Sequence, residues 1–182
     1  MEKSNFEKAF ENTIMSEKGF SNHPKDRGGK TKFGITNKTY KEAVRKGIIK
    51  KRLLGVRGLT LQDSKDIYKV MYWDELNLDK VEHFRIAEEI FDTGVNCGVR
   101  KSARIVQRAL QAEGEQLIRD GIIGPTTLRY INKYCKERPE AFFKLLNALQ
   151  GVYYVEIVEK NPEQVAFLNG WMKRVDDWGK SE

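Results

Sequence analysis

An all-α fold is predicted by three observations. Apolar residues recur at the i, i+3, i+4 spacing of one helix face along most of the chain. Helix-end residues bound many of these stretches: Thr36 and Thr60 stand ahead of two, Pro125 and Pro139 open two more, and Gly19 and Gly47 close others. No stretch sustains period-two alternation, so strands are expected to be short, at most a hairpin near residues 19–36.

The first helix carries Phe6, Ala9, Phe10, Thr13 and Ile14 on one face and extends that face to Glu17 before Gly19 stops it. Thr36 caps the second, with Ile35 and Tyr40 at the staple positions that fix the chain's entry angle, and this helix runs to about Arg45. A basic, glycine-containing linker leads to Gly58. The third helix, opened by T-L-Q-D at Thr60–Asp63, turns Ile67, Tyr68, Met71 and Tyr72 inward and ends at Tyr72-Trp73-Asp74. Phe84–Asn96 is the most apolar so far, through Ala87, Ile90, Phe91 and Val95, and reads as the central buried helix. Its Gly94 and the following Gly98 would let a neighbour approach closely. Ser102–Ala112 is amphipathic through Ala103, Ile105, Val106, Ala109 and Leu110. Asp120-Gly121 then signals a tight turn, and Gly124-Pro125 opens another helix. A long helix runs from Pro139 to Asn161-Pro162, and a last one carries Phe167, Leu168, Trp171, Met172, Val175 and Trp178.

The 182 residues suit one domain, or two small ones sharing a core. Hydrophobic content is 40%, and no apolar run approaches a membrane span, so stable membrane insertion is not expected. The net charge of +7 comes from scattered Lys and Arg, densest at K-K-R 50–52, and suits an anionic partner through a general field. Cys97 and Cys135 show no C-x-x-C spacing, and His23 and His83 share no local motif. Neither a metal site, a cofactor nor a disulfide framework is therefore expected, and the cysteines read as buried free thiols.

Chemistry concentrates in E-K-G-F-S-N-H-P-K-D-R-G-G-K-T-K-F-G-I-T, residues 17–36. Glu17 continues the apolar face of the first helix at its C-terminal end, where desolvation and the helix dipole both favour the protonated carboxyl. Lys18 beside it acts in the opposite sense. Asp26 lies nine residues later between His23-Pro24 and Gly28-Gly29, where a side chain stays wet. Two carboxyls held in opposite protonation states are what glycoside hydrolysis requires. The alternatives are a solvent-facing helix-end glutamate and a turn aspartate bonding its own backbone. Thr31 is placed to orient a water, and His23 either touches substrate or is a turn residue.

This stretch resembles the signature of glycoside hydrolase family 108, lysozyme-like muramidases that include phage endolysins and proteins labelled secretion activators. The matching positions are Glu17, Gly19, Asn22, Pro24, Asp26, Gly28, Gly29, Thr31, Gly34, Ile35 and Thr36, with departures at Lys18 and Phe20. Tyr72-Trp73, F-D-T-G-V-N-C-G at Phe91–Gly98, D-G-I-I-G-P-T-T at Asp120–Thr127 and G-W-x-x-R at Gly170–Arg174 continue the resemblance to about Trp178. It implies a lysozyme-like fold, with a catalytic region at 1–90 and a helical peptidoglycan-binding-like region at 91–180 packed on it.

The activity implied is cleavage of the β-1,4 bond between N-acetylmuramic acid and N-acetylglucosamine. Glu17 would protonate the leaving oxygen, while Asp26 either activates a water with Thr31 or stabilises the positive sugar centre. Phe20, His23, Phe33, Tyr72, Trp73 and Asn96 are the candidate substrate contacts. Tyr72 and Trp73 are sugar platforms or core, and Asn96 bonds an acetamido group or makes a buried structural hydrogen bond. Arg174 is available to a carboxylate. The partner implied is peptidoglycan, the chain being a monomer aided by a holin or secretion system. The N-terminus shows no signal-peptide pattern, so synthesis in the cytoplasm and action at the wall or periplasm are expected. A wall-binding protein without useful catalysis ranks second. A nucleic-acid binder, suggested by charge alone, ranks third because nothing forms a recognition helix or basic arm.

Overall fold

The computed structural model describes residues 2–14, 20–21 and 31–175, the side chains of Phe20 and Ser21 excepted. It is mainly α-helical, with eight α-helices among the described residues. The chain divides into two compact units, Met1–Glu75 and Leu76–Glu182. The boundary expected at 90/91 falls inside a continuous helix, α4 (Phe84–Cys97), whose buried face keeps it in the second unit.

In the first unit, α1 (Asn5–Ile14) starts at a capping box that sequence reading passed over. The Ser4 hydroxyl accepts from the Glu7 amide at 3.3 Å, and the Glu7 carboxylate accepts from the Ser4 amide at 3.0 Å. The expected face of α1, Phe6 to Ile14, is buried. Three two-residue strands follow, β1 (Phe20–Ser21), β2 (Thr31–Lys32) and β3 (Ile35–Thr36), as an antiparallel sheet in the order β1-β2-β3. The second hairpin arises because Phe33 and Gly34 both have positive φ, 53° and 72°, between the paired Lys32 and Ile35. Such a two-residue turn carries the right-handed twist of the strands it joins.

Thr36 ends β3 and caps α2 (Asn37–Arg45), its side chain accepting from the Thr39 amide. Ile35 and Tyr40 are buried beside it, as the staple requires. A 3-10 turn at Gly55–Gly58 leads to α3 (Leu61–Tyr68), opened by a Thr60–Asp63 capping box. Asp63 also takes a bidentate contact from Arg52 (2.9 and 2.5 Å), whose amide donates to the Tyr40 hydroxyl at 2.8 Å. Burial works against the Asp63 charge, yet the Arg52 and Thr60 bonds hold its carboxyl below the usual range. After α3 the backbone widens to a π-helix over Lys69–Asp74, and an ion pair spans its ends from Lys69 to Asp74.

The second unit is built on α4, α5 (Val99–Ala112), α6 (Pro125–Glu137), α7 (Pro139–Lys160) and α8 (Val165–Met172). Gly98, with φ of 88°, turns the chain between α4 and α5, so α5 begins three residues earlier than the apolar pattern suggested. Gly94 is required by packing, because a Cβ there would meet Leu76 Cδ1 at 2.8 Å. Ser102 Oγ donates to the Ile90 carbonyl at 2.7 Å and locks α5 to α4. α7 packs on α4, α5, α6 and α8. Prolines open α6 and α7 where expected, since proline needs no amide partner in a first turn. No described helix is long and apolar enough to cross a membrane.

Candidate active site

Of the expected catalytic residues, Glu17 and Asp26 lie outside the described residues, as does the candidate contact His23. The structure does define the frame from which that segment departs and to which it returns. Departure is from α1, anchored by an aromatic chain: Phe6 lies 5.9 Å from Phe10, and Phe10 lies 5.9 Å from Tyr68, between ring centroids. Lys65 of α3 adds an ion pair to Glu7 at 2.6 Å. The intervening Phe20 pairs through its backbone with Lys32, and Ser21 with Thr31. Ser21 and Thr31, which flank residues 22–30 and so Asp26 in the sequence, are thus held side by side on adjacent strands.

Thr31 is half-buried on the central strand, paired with both Ser21 and Thr36. Two residues on, Phe33 occupies the positive-φ corner, where its carbonyl accepts from the Tyr68 hydroxyl at 3.0 Å. Its ring lies 5.3 Å from the Lys32 ammonium. A bulky residue at positive φ is uncommon, and the ring stays half-exposed, so it remains open to a ligand. Tyr72 lies half-buried with its ring 5.2 Å from Tyr68. Burial and the charge of Glu42 push its phenol above the ordinary range against a hydrogen bond with Thr39. Thr31, Phe33, Tyr68 and Tyr72 are therefore connected through the sheet and α3.

Trp73 does not join them. It is 0% exposed and meets Phe6 edge-on at 5.6 Å, so the sugar-platform role falls to its packing alternative. The two neighbours diverge as consecutive side chains do on any helical turn, Trp73 facing the core and Tyr72 its edge.

Asn96 belongs to the second unit and is exposed, not buried. Its amide donates to the Asp92 carbonyl at 2.8 Å and to Asp92 Oδ2 at 3.1 Å, binding it to the preceding helical turn. Asp92 pairs with Arg174 at 2.9 Å, which joins the F-D-T-G-V-N and G-W-x-x-R motifs. The residue that sequence reading missed is Glu89, on the buried face of α4 and 4% exposed. Thr93 Oγ1 donates to it at 3.2 Å and itself accepts from Gln150 Nε2 at 3.0 Å. Burial, then the Asp92 charge, push the Glu89 carboxyl up to about 8 against bonds from Thr93 and Asn147 and the charge of Arg85. Its signal was present: Glu89 stands between Ile86 and Ile90, on the apolar side of the helix. Cys97 and Cys135 are free thiols, pushed by burial to about 12 and about 11. Neither is set up as a nucleophile at neutral pH. Among the described residues no cluster of His, Cys, Asp and Glu could hold a metal ion.

Comparison with known families defines the class. The family model for glycosyl hydrolase 108 matches residues 10–98, and the model for the predicted peptidoglycan domain matches 101–176. Together the two matches cover most of the chain and support a peptidoglycan-related protein whose first part is similar to glycoside hydrolases. It carries a glycosyl hydrolase 108 domain followed by a predicted peptidoglycan domain. The solved structure of Brucella abortus SagA is similar at 25% identity and a TM-score of 0.75, covering 93% of this chain and 88% of that one. The comparison with curated proteins found no match.

Proposed function

We propose that the chain hydrolyses the β-1,4 bond between N-acetylmuramic acid and N-acetylglucosamine at the bacterial wall. The observation that carries this reading is the pairing of Ser21 with Thr31, which brings together the ends of the Asp26 segment within the glycosyl hydrolase 108 match. Glu17 protonates the glycosidic oxygen as the C1–O bond breaks and positive charge develops on the sugar. Water supplies the new bond at C1, and its proton is taken up by a carboxylate, so the products are two hydroxyl-terminated glycans. Asp26 serves as the base for that water, with Thr31 holding it, or as the group that stabilises the positive centre. Phe33 and Tyr72 supply aromatic surface beside the sheet. The peptidoglycan domain gives the same polymer a second point of attachment.

The test is digestion of purified peptidoglycan by wild type and Glu17→Gln, followed by mass spectrometry of the soluble fragments. New reducing ends on N-acetylmuramic acid, lost in the variant, are expected. Equal release by both proteins would reject Glu17 as the acid. A second reading, a wall-binding protein without useful catalysis, draws on the lysine at position 18 next to that acid. Wall pull-down by both proteins without release of any fragment is its signature.

A further inference from the structure

The second unit contains a cleft of about 730 Å³ between α5 and α7, whose described lining holds four cations and one carboxylate. Lys101, Arg104 and Arg108 reach it from α5 at i, i+3 and i+7, one polar stripe opposite the buried face of Ala103, Ile105, Val106, Ala109 and Leu110. α7 contributes Tyr153 and Glu156. Arg119 closes the set from the stretch after α5, and its placement follows from the D-G-I-I-G motif. The buried Gln107 side chain donates to Asp120 Oδ1 (2.7 Å) and the Ile122 carbonyl (3.0 Å), and accepts from the Gly121 amide (2.9 Å). Gly121, at φ of 81°, leaves no room for a Cβ: one would meet the Arg100 carbonyl at 3.0 Å and Arg104 Nε at 3.3 Å. The turn is therefore clamped against the cationic stripe.

Glu156 is committed to Arg108 at 3.3 Å, and Lys101 lies 4.5 Å from the Tyr153 ring centroid. Lys101, Arg104 and Arg119 have no carboxylate partner among the described residues. Several other cations of this unit are paired: Arg85 with Glu88, Lys133 with Glu115, Arg138 with Glu113, Arg174 with Asp92. Arg104 and Arg108, four residues apart on one helix, repel each other, a local cost that Glu156 offsets only at Arg108. A cleft with three cations lacking a carboxylate partner beside an aromatic wall fits a carboxylate-bearing ligand.

We propose that this cleft binds the peptide stems of peptidoglycan through their free carboxylates. Lys101, Arg104 and Arg119 are the charge partners, and Tyr153 is the apolar wall. This rests on the reading of peptidoglycan as the substrate and assigns where the second unit would grip it.

The experiment is co-sedimentation with purified insoluble sacculi, performed in a Glu17→Gln background so that the ligand survives. Binding is competed separately with free stem peptides and with the soluble, stem-free glycan strands that an N-acetylmuramoyl-L-alanine amidase releases from the same sacculi. Lys101→Gln/Arg104→Gln/Arg119→Gln is expected to lower affinity for intact sacculi at least about tenfold and to flatten its salt dependence, while melting no lower than its parent. Arg119→Gln alone, outside any helix, is expected to show a smaller loss in the same direction. Binding of the triple variant equal to its parent's would overturn the cleft. Competition by the stem-free glycan strands but none by the free stems would overturn the stems as ligand. No binding of the parent to intact sacculi would reject the peptidoglycan reading itself, an outcome separate from both.

Discussion

Glu89 makes stability depend on pH in a direction opposite to that of most carboxylates. In the folded chain its carboxyl ionises at about 8, against 4.5 for an ordinary glutamate. Between those values the folded state holds a proton that the unfolded chain releases, so stability falls as pH rises from 4.5 to about 8 and is flat outside that window. At 1.36 kcal/mol per pH unit, the full span is on the order of 4–5 kcal/mol. That is a large fraction of the roughly 5–15 kcal/mol that stabilises a domain. Glu89→Gln keeps the size and a carbonyl acceptor for Thr93 but cannot ionise. Urea unfolding followed by circular dichroism at pH 5, 6.5 and 8.5 should give nearly equal stabilities at pH 5, with the variant ahead by several kcal/mol at pH 8.5. Other titrations, such as that of His83, which burial and Arg85 hold below its ordinary value, are common to both proteins and cancel in the difference. Parallel profiles across the range would refute the argument and mean that water reaches the Glu89 carboxyl in the folded state.

Four further perturbations follow from contacts already described. Gly94→Ala should cost about 1–3 kcal/mol through the 2.8 Å clash with Leu76 Cδ1, and thermal melting of Gly94→Ala with and without Leu76→Ala should show partial rescue. Asp92→Asn weakens the charged hydrogen bond to Arg174 and should cost about 1–3 kcal/mol, while its loss of charge shifts the Glu89 titration to lower pH in the same urea series. Asp63→Asn removes both the α3 capping box and the Arg52 contact. It should lower stability at neutral pH, with the difference from wild type vanishing in acid as the native carboxyl protonates below its ordinary pKa. Phe33→Gly relieves the positive φ and should leave melting within about 1 kcal/mol of wild type; a fall in peptidoglycan digestion at unchanged melting would show that the ring touches sugar.

What the sequence made legible was whatever depends on neighbours in the chain. The Thr36 and Thr60 caps, the Ile35–Tyr40 staple, the two proline-initiated helices and the buried stripes of α1, α4 and α5 follow local spacing, and each is present. Features set by tertiary packing were not legible. Tyr72 and Trp73 look alike in sequence, and only the packing of Trp73 on Phe6 separates them. Asn96 lies within the apolar α4 stretch, yet its place in the turn leaves it exposed. The charges of α5 seemed scattered along the chain until the clamp of Gln107 on the 120–122 turn brought Arg119 to them. The signature itself, including Glu17 and Asp26, was legible as a motif, and the structure adds the sheet that brackets it.

The limits of the family matches and the limits of packing do not coincide, and this has a testable consequence. The glycosyl hydrolase 108 match extends to residue 98 and so includes α4, while the peptidoglycan domain match begins at 101. In the fold, α4 is the wall on which α5 and α7 rest. Ile86, Ile90 and Phe91 are each at most 1% exposed, the Ile90 carbonyl holds Ser102, and Asp92 holds Arg174. Burying three such side chains contributes roughly 5–9 kcal/mol, comparable to the whole stability of a domain this size. A fragment cut at the family limit, 99–182, should therefore fail to fold, whereas 76–182 should give a cooperative melt. If 99–182 melts cooperatively with native helicity, α4 contributes far less than its burial implies, and the peptidoglycan domain stands on α5 to α8 alone.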